Sequence, residues 1–459
     1  MPNHRAGFSF LDESLSAAAP GLSNWAWWSV VLVWLISVAV RVEYIRARPE
    51  TERQGMGIYG DTFIYFPLAS NLVRNHCYSG ADAAPYFPSC SKPPAYPFFL
   101  AALMECGAQR PGSFRLAQAV GDSLSPLFVF AAACFLFESL PAAFLAALLM
   151  AFSPYNIFYA RALLSDWLGS TLMALAVACL LAGWRRGRFG WLALSAAVFG
   201  LDVLARPAVA PYALVIAALL AAATPGRWKK RAARGGAYLA IVVAVVGVWT
   251  ARNYLATGRF IAVSTGGRAI GLLKGTWETA DNWGKVPREF FKDEAERKAM
   301  QDRIMNYLAA LAFKPVDEQL VMNDTLLELA RERRNSDWAG YLRRCAGRVP
   351  ILWWNGKVRM FADPEPGPAV VNLLLIGWAL SWVAARGRGT MFLALWLLPV
   401  VLTAAHFPVH VEPRFTLPAM PALCVLAGGA YASSAQWAIR RIREIKQTRN
   451  AKCKMRDRE

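Results

Sequence analysis

Two sequences, GDTFIYFP at residues 60–67 and KPPAYPFFLAAL at residues 92–103, lie in the stretch around which this chain is organised. That stretch is a polar loop from Arg46 to Pro94, flanked on both sides by apolar segments. Loops of this length are uncommon as simple connections in compact proteins and usually carry function. We therefore expect a functional site in this loop. The kind of function that the site can have depends on which side of a membrane the loop faces.

The composition is that of an integral membrane protein. Of 459 residues, 56% are hydrophobic and 18% are charged. The apolar residues form runs of about 20, the length that a helix needs to cross the hydrocarbon core. The predicted fold class is therefore an all-α polytopic membrane protein. The net charge of +19 comes from basic residues in short loops and in the tail. This is the positive-inside bias, and it does not indicate a nucleic-acid partner.

The apolar runs predict about ten transmembrane helices. These are Trp25–Val40, Phe114–Phe137, Ala142–Tyr159, Leu163–Trp184, Phe189–Leu204, Ala208–Ala223, Ala237–Tyr254, Val370–Ala385, Thr390–Ala405 and Phe415–Ile439. The run Tyr96–Cys106 is too short to cross and is predicted to be an interfacial helix in the first outward loop. A second short piece, Val349–Phe361, is predicted to be re-entrant or interfacial.

The basic residues set the orientation. With ten spans, four groups of arginines and lysines fall on one side, which is then cytoplasmic. These groups are Arg185 to Arg188, Arg227 to Arg234, Arg386 with Arg388, and the tail from Arg440 to Arg458. The loop that contains Asp61 consequently faces outward.

Four regions follow from these assignments. They are a transmembrane module (1–254) with its outward loop (46–94), an outward soluble insert (255–348), C-terminal re-entrant and transmembrane helices (349–439), and a basic cytoplasmic tail (440–459). The insert is marked by lower hydropathy and higher charge. Within it, Lys292–Leu311 and Asp317–Arg334 are predicted to be amphipathic helices, because apolar residues recur at spacings of three and four.

Two outward-facing acids are candidate catalytic residues. Asp61 lies in a loop that returns to the membrane surface, where partial desolvation can tune its pKa and suit it to accept a proton from a hydroxyl nucleophile. Asp166 lies at the outer start of the fourth span. For both residues, capping of a helix N-terminus is the alternative role.

Four basic residues are candidate partners of a phosphate. Two prolines fix the backbone after Lys92 and present its ammonium at a set height, although snorkelling to the interface is the alternative. Arg206 and Arg252 stand at outer ends of spans, against the positive-inside bias, which favours an anionic partner for each. Arg414 precedes the last span and is a candidate partner for a phosphate or for an aspartate.

Candidate metal ligands occur in one segment only. His406 and His410 have the spacing of one helical face and Glu412 follows them, but Pro408 interrupts that helix. A divalent cation is therefore left open, and no other cofactor is indicated.

Two cysteines of the outward loop, Cys77 and Cys90, are close enough in sequence to form a disulfide in an oxidising compartment. Free thiols are the alternative.

Several motifs in a fixed order resemble the membrane-embedded GT-C glycosyltransferases, in particular the protein O-mannosyltransferases and the lipid A aminoarabinose transferase. They are Gly60-Asp61, KPPAYPFFLAAL, SPYNIFYARALLSDWL, LARP, ARNYLATGRFIAVST and EPRFTLPAMPAL. The similarity covers Trp25 to Ile270 and Thr390 to Ala430.

This resemblance implies that a sugar is transferred from a polyprenyl-phosphate carrier to a glycan, lipid or protein acceptor on the outer face of a membrane, with inversion at the anomeric carbon. The expected location is the bacterial inner membrane, with the site facing the periplasm. By the resemblance, Asp61 matches the general base and Asp166 the second acidic position. Lys92 matches the donor-phosphate lysine, and Arg206 and Arg252 match arginines near the donor.

Two features depart from the family pattern. Thr62 stands where many relatives have a second acid, which weakens a metal site at that position, and the insert resembles no domain that would identify the acceptor. A transporter or flippase for a lipid or anionic solute is the alternative of another class, and it predicts charges near the middle of the bilayer, such as Asp202, and broken helices. A scaffold subunit with an inactive enzyme fold is a third hypothesis.

Overall fold

The structure is a computed structural model, and it describes residues 24–47, 61–279, 282, 286–353, 367–384 and 389–456. Regular structure in these ranges is helical throughout, with no strand among the residues described. The α-helices are α1 (Asn24–Arg46), α2 (Thr62–Asn75), α3 (Ala95–Glu105), α4 (Pro111–Asp122), α5 (Ser125–Phe137), α6 (Leu140–Ala151), α7 (Pro154–Arg161), α8 (Asp166–Arg186), α9 (Phe189–Ala205), α10 (Pro211–Ala223), α11 (Trp228–Thr257), α12 (Arg268–Gly275), α13 (Glu294–Phe313), α14 (Val316–Ser336), α15 (Trp338–Trp353), α16 (Gly367–Ala384), α17 (Gly389–His406) and α18 (Met420–Arg456). Short 3₁₀ turns cover Pro207–Val209, Arg288–Phe290 and Pro413–Ala419.

Six helical segments in the described ranges are long and apolar enough to cross a membrane. They are Trp28–Arg46, Pro111–Phe137, Asp166–Arg186, Trp228–Thr257, Gly389–His406 and Pro413–Thr448. The number of candidate spans rises to seven if α6 and α7, which are bent by 44° relative to each other, are counted together as one span. The three other predicted spans correspond to shorter apolar helices, Phe189–Ala205, Pro207–Ala223 and Val370–Trp382. Each predicted span therefore coincides with an apolar helix, while the count of ten stays a prediction.

The centre of the bundle is formed by α8 and the first half of α18. Within their apolar windows, 78% of residues are buried around α8 and 89% in the segment containing α18. Small residues allow this packing, because a Cβ on Gly428 would lie 2.6 Å from the backbone nitrogen of Ala146 in α6. Such close backbone approach is typical of helices that associate in lipid.

The insert packs onto the first outward loop. Thr265 N donates to Cys90 O at 2.8 Å and Gly266 N donates to Ser91 O at 3.2 Å, so an extended segment of the insert lies beside the backbone just before Lys92. Both helices predicted in the insert are present, as α13 and α14, but apolar residues are not gathered on one face of α13.

Some predicted segments are only partly described. Of the predicted piece Val349–Phe361, residues 349–353 are the end of α15 and the rest lies outside the described residues. Gly60, Arg386 and Arg388 also lie outside them. The basic tail continues α18 as a helix to Arg456.

A buried ion pair joins α1 to α4. Arg41 Nε donates to Asp122 Oδ2 at 2.6 Å, and both side chains are 0% exposed. Arg41 Nη1 also donates to Ser37 Oγ at 2.6 Å and to Ala151 O at 3.0 Å. The two charges neutralise each other, which matters because an unpaired ion inside the bundle would be costly.

Replacing Asp122 by Ala should lower the free energy of unfolding by about 3–5 kcal/mol, because Arg41 would stay buried without its counter-ion. The double variant Arg41→Met/Asp122→Leu should recover most of this loss. Denaturant unfolding of the purified protein in nanodiscs measures both. If the double variant is as unstable as the single one, the loss comes from packing and not from the uncompensated charge.

Candidate active site

Asp61 precedes α2 but does not cap it. Its side chain accepts no hydrogen bond from the first turn of the helix. Instead, Oδ1 accepts from Lys92 Nζ at 2.6 Å and Oδ2 accepts from Arg414 Nη1 at 3.1 Å. The structure therefore favours an electrostatic role for this carboxylate over the capping alternative.

The backbone around Lys92 is fixed from several sides. Tyr78 Oη donates to Lys92 O at 3.1 Å, and the ammonium lies 5.7 Å from the centre of the Tyr65 ring. The side chain of Lys92 is only 13% exposed. Its ammonium thus pairs with Asp61 inside the protein and does not extend freely as in the snorkelling alternative.

Asp166 is the first residue of α8 and is 1% exposed. Its Oδ1 accepts from Arg206 Nη1, and its Oδ2 lies 3.8 Å from Arg414 Nη1. Gly169 makes room for the arginine, since a Cβ there would lie 2.8 Å from Arg206 Cδ. Arg414 consequently stands between the two aspartates.

Phe415 supports both arginines from one side. The guanidinium carbons of Arg206 and Arg414 each lie 5.6 Å from the centre of its ring. His406 stacks on the same ring, with centroids 4.9 Å apart and an interplanar angle of 21°. The aromatic ring therefore holds two cations close together, where their mutual repulsion is balanced by Asp61 and Asp166.

The electrostatic state of Asp61 follows from two opposed effects. Burial acts to raise its pKa, but the charges of Lys92 and Arg414 outweigh burial and hold the pKa well below the usual value. Burial acts to lower the pKa of Lys92, and Asp61 reverses this and raises it. In this state Asp61 is fully ionised and a weak base.

A second group of charges adjoins the first. Glu412 accepts from Arg414 Nη2 at 3.2 Å, and His410 Nε2 lies 3.0 Å from Glu412 Oε1. His410 Nδ1 lies 2.7 Å from both carboxylate oxygens of Glu278, which comes from the insert. Burial acts to raise the pKa of Glu412, but Arg414 and His410 hold it below its usual value.

The candidate metal ligands are not assembled as a metal site. His406 Nδ1 contacts Leu402 O at 2.8 Å, while both ring nitrogens of His410 face carboxylates. No group of three or more His, Cys, Asp or Glu side chains in the described ranges is arranged to hold a metal ion.

Arg252 is placed apart from the aspartates. It donates to Ser89 O at 2.7 Å and lies over the rings of Tyr78 and Trp249, at 5.2 and 4.7 Å. These contacts are those of a clamp on the outward loop, so its role toward a donor phosphate stays a prediction.

The two loop cysteines are free thiols in the structure. Cys90 is buried and its Sγ contacts Asn253 Oδ1 at 3.4 Å, whereas Cys77 Sγ contacts Tyr86 O at 3.9 Å. Of the two alternatives left open by the sequence, the structure has the unbonded one.

Two residues of the site were not found from the sequence. Glu278 follows α12 in a stretch without a recognisable motif. What distinguishes this glutamate is its burial, with 1% of the residue exposed, and burial cannot be seen in a sequence. Tyr65 lies one turn after Asp61, and its hydroxyl is 3.2 Å from Ser165 Oγ, next to Asp166. Its position on the same helical face as Asp61 was the available signal.

Part of the chain matches the model of a known protein family. Residues 91–250 match the family model described as dolichyl-phosphate-mannose-protein mannosyltransferase, a range that contains Lys92, Asp166 and Arg206. No curated protein matches the chain in sequence.

Solved structures with similar folds include two of the oligosaccharyltransferase from Archaeoglobus fulgidus. One is AglB in complex with an inhibitory peptide and a dolichol-phosphate, with TM-score 0.53, 13% identity, and coverage of 93% of this chain and 52% of that one. The other is the apo form, with TM-score 0.51, 14% identity, and coverage of 88% and 50%. The chain thus spans about half the length of these proteins. ArnT from Cupriavidus metallidurans in the apo state also matches, with TM-score 0.38, 15% identity, and coverage of 93% and 78%.

The chain is therefore a multi-pass membrane protein with the GT-C fold. Within that class, residues 91–250 are similar to the mannosyltransferase family, and the resemblance predicted from the sequence motifs is confirmed.

The thermal stability of the purified protein should pass through a plateau and fall on both sides of it. The pKa values of Asp61 and Glu412 are lowered in the fold, so their contribution is present above about pH 4 and is lost as pH falls below it. Hydrogen bonds to Glu278 and Glu412 overcome burial and raise the pKa of His410, so its contribution is present below about pH 6.5 and is lost as pH rises through the raised value. Unfolding temperatures between pH 3 and 9 measure this, and His410→Gln should lack the alkaline fall. An unchanged alkaline fall in that variant would show that another group titrates.

Proposed function

We propose that this protein transfers a sugar from a polyprenyl-phosphate-linked donor to an acceptor hydroxyl at the outer face of the bacterial inner membrane, with inversion. The observation that carries the proposal is the cluster in which Asp61 and Asp166 share the cations Lys92, Arg206 and Arg414. Such a cluster offers both a base and a phosphate site, and it occurs in the fold that membrane glycosyltransferases share.

The donor phosphate would compete with Asp61 for its cations. Lys92 and Arg414 neutralise Asp61 from its two oxygens, and a phosphate between them is a stronger acceptor of charge-assisted hydrogen bonds. A guanidinium can bind a phosphate through two parallel N–H groups, whereas the lysine acts as a point charge. Donor binding therefore takes from Asp61 the partners that keep it a weak base.

Release from these cations would activate Asp61. Burial is the largest influence on its pKa and acts upward, so the pKa rises once the charges of Lys92 and Arg414 are engaged by the phosphate. The carboxylate then accepts the proton of the acceptor hydroxyl as that oxygen attacks the anomeric carbon. Asp61 is thus a stronger base only when the donor is bound, so that proton transfer from an acceptor is disfavoured while the donor site is empty.

The leaving group gains negative charge in this reaction. The bond between the anomeric carbon and the phosphate oxygen breaks, and the phosphodiester becomes a monoester. Arg206 and Arg414, held by Phe415, provide fixed positive charge where this negative charge develops. Asp166 keeps Arg206 in place through its own ion pair.

Exposed aromatic residues near the cluster suit a lipid-linked donor. Phe63 follows Asp61 by two residues and is 55% exposed, and Phe98 in α3 is 45% exposed. Apolar side chains on α2 and α3 can therefore contact acyl or prenyl chains while the charged cluster binds the headgroup.

The transport alternative is less well supported. A transporter is expected to have charged residues inside the bundle. Asp202 meets this expectation, because it is fully buried and neither of its carboxylate oxygens is hydrogen-bonded. Two further buried charges, Arg41 and Asp122, neutralise each other. The bend between α6 and α7 is the kind of broken helix that transporters use. The Asp61 cluster, however, combines a candidate base with several candidate phosphate partners, which a transporter does not need.

Asp61→Asn should reduce sugar transfer by about 10²–10⁴-fold, because the general base is lost while the shape is kept. Lys92→Ala should weaken donor binding and transfer together, because it removes a cation of the phosphate site. The assay uses purified protein in nanodiscs with a panel of undecaprenyl-phosphate sugars and mixed glycan, lipid and peptide acceptors, with and without chelator.

The matched controls are Asp82→Asn and Arg74→Ala, two exposed charges of the same loop region, which should keep wild-type activity. Full activity of Asp61→Asn would overturn the assignment of the base. Donor-independent movement of the lipid across the bilayer, with no glycosyl product, would favour the transporter.

A further inference from the structure

Three charged residues form a continuous hydrogen-bonded chain behind Arg414. Glu278 belongs to the insert, whereas His410 and Glu412 lie between α17 and α18. The imidazole of His410 bridges the two carboxylates, 2.7 Å from Glu278 and 3.0 Å from Glu412. Glu278 is 1% exposed and His410 is 13% exposed, so water cannot easily replace these bonds.

The contacts of His410 are those of a ring that donates from both nitrogens. Each ring nitrogen faces a carboxylate oxygen, and an ionised carboxylate can only accept hydrogen bonds. A neutral imidazole has one N–H and would leave one of these contacts as two acceptors facing each other. Between two ionised carboxylates the bridging ring is therefore an imidazolium.

The contacts of Glu412 determine which guanidinium nitrogen of Arg414 is available to the two aspartates. Glu412 contacts two guanidinium nitrogens: Nη2 donates to Oε1 at 3.2 Å, and Nε forms an ion pair with Oε2 at 2.5 Å without hydrogen-bond geometry. The remaining nitrogen, Nη1, is the one that contacts Asp61 and Asp166. A rotation of Glu412 would therefore turn the plane of Arg414 away from the cluster.

Hydrogen bonds to the backbone also connect the segment that carries Glu278 to the segment that carries His410 and Glu412. Arg348 Nη1 donates to Gly275 O at 2.7 Å and to Glu278 O at 3.0 Å, and the same guanidinium reaches Phe407 O at 3.4 Å. His410 N donates to Gly271 O at 2.8 Å. These hydrogen bonds connect the insert directly to the segment 407–412.

We propose that Glu278, His410 and Glu412 are positioning residues that orient Arg414 for the donor phosphate, so that the insert supplies one member of the active centre. This inference rests on the proposed function, because it assigns these residues to the phosphate site of that reaction. None of the three needs to touch the reacting atoms.

The variant Glu278→Gln tests the chain, because it removes a charge and keeps the shape. The imidazolium loses one anion, the bond between His410 and Glu412 loosens, and Arg414 is less well oriented. Undecaprenyl phosphate should then bind about tenfold more weakly, as expected for one charge-assisted hydrogen bond. Undecaprenol, which lacks the phosphate, should bind with unchanged affinity.

The control is Glu289→Gln, an exposed glutamate of the same insert, which should leave the Kd for undecaprenyl phosphate unchanged. His410→Gln is a second test variant and should weaken binding in the same direction. Binding is measured in nanodiscs on the monodisperse fraction, so that loss of folded protein does not count as loss of affinity.

A nitrogen-15 spectrum provides a readout that is independent of binding and catalysis. The chain has four histidines, so the ring nitrogens of His410 can be assigned by comparison with His410→Gln. In the wild type both should be protonated at neutral pH, and in Glu278→Gln this signature should be lost, while His406 is unaffected.

The possible outcomes separate this inference from the proposed function. If Glu278→Gln keeps both the affinity for undecaprenyl phosphate and the doubly protonated His410, the positioning chain is overturned while the proposed function stands. If the spectrum changes but the affinity does not, the three residues are structural only and the inference is again overturned. If the wild-type protein does not discriminate undecaprenyl phosphate from undecaprenol, the proposed function itself fails.

Discussion

The sharing of one arginine by two aspartates is the constraint on which the site depends. Arg414 Nη1 lies 3.1 Å from Asp61 and 3.8 Å from Asp166, in a region where charges are poorly hydrated and must balance. Asp61, Asp166 and Glu412 are matched by Lys92, Arg206 and Arg414. A phosphate that enters this balanced set has to displace a carboxylate from its partners. The carboxylate with the most exposed side chain, Asp61 at 29%, is the one that can be displaced most readily.

The sequence identified charged site residues that stand at particular positions along a span. It did not identify which of these residues form ion pairs with each other. Asp61, Lys92, Asp166 and Arg206 could each be found because they stand near the ends of apolar helices on the same predicted side. Which of these residues pair could not be predicted, although Arg414 was a candidate partner for an aspartate, because Arg414 is separated from Asp61 by 353 residues and Glu278 from His410 by 132. Contacts of that separation are set by how helices pack, which a hydropathy pattern does not specify.

Arg252 shows why a local pattern cannot decide what a charged residue binds. Like Arg206 it lies at a predicted outer end of a span, and both were expected near a phosphate. In the structure Arg206 pairs with a carboxylate, whereas Arg252 donates to carbonyl oxygens and stacks on aromatic rings. A guanidinium suits both environments equally well, so only the neighbours that folding brings to it distinguish the two.

The insert is linked to both cations that hold Asp61 through residues that adjoin them. On one side, Thr265 and Gly266 bind the backbone at Cys90 and Ser91, directly before Lys92. On the other side, Glu278 reaches Arg414 through His410 and Glu412. A displacement of the insert would therefore alter both ion pairs of Asp61 together, and with them the pKa of the carboxylate. Under the proposed function, an acceptor arriving from water would meet the insert, which is predicted to face water, before the lipid-embedded helices, and this connection would give acceptor binding a physical route to the proposed base.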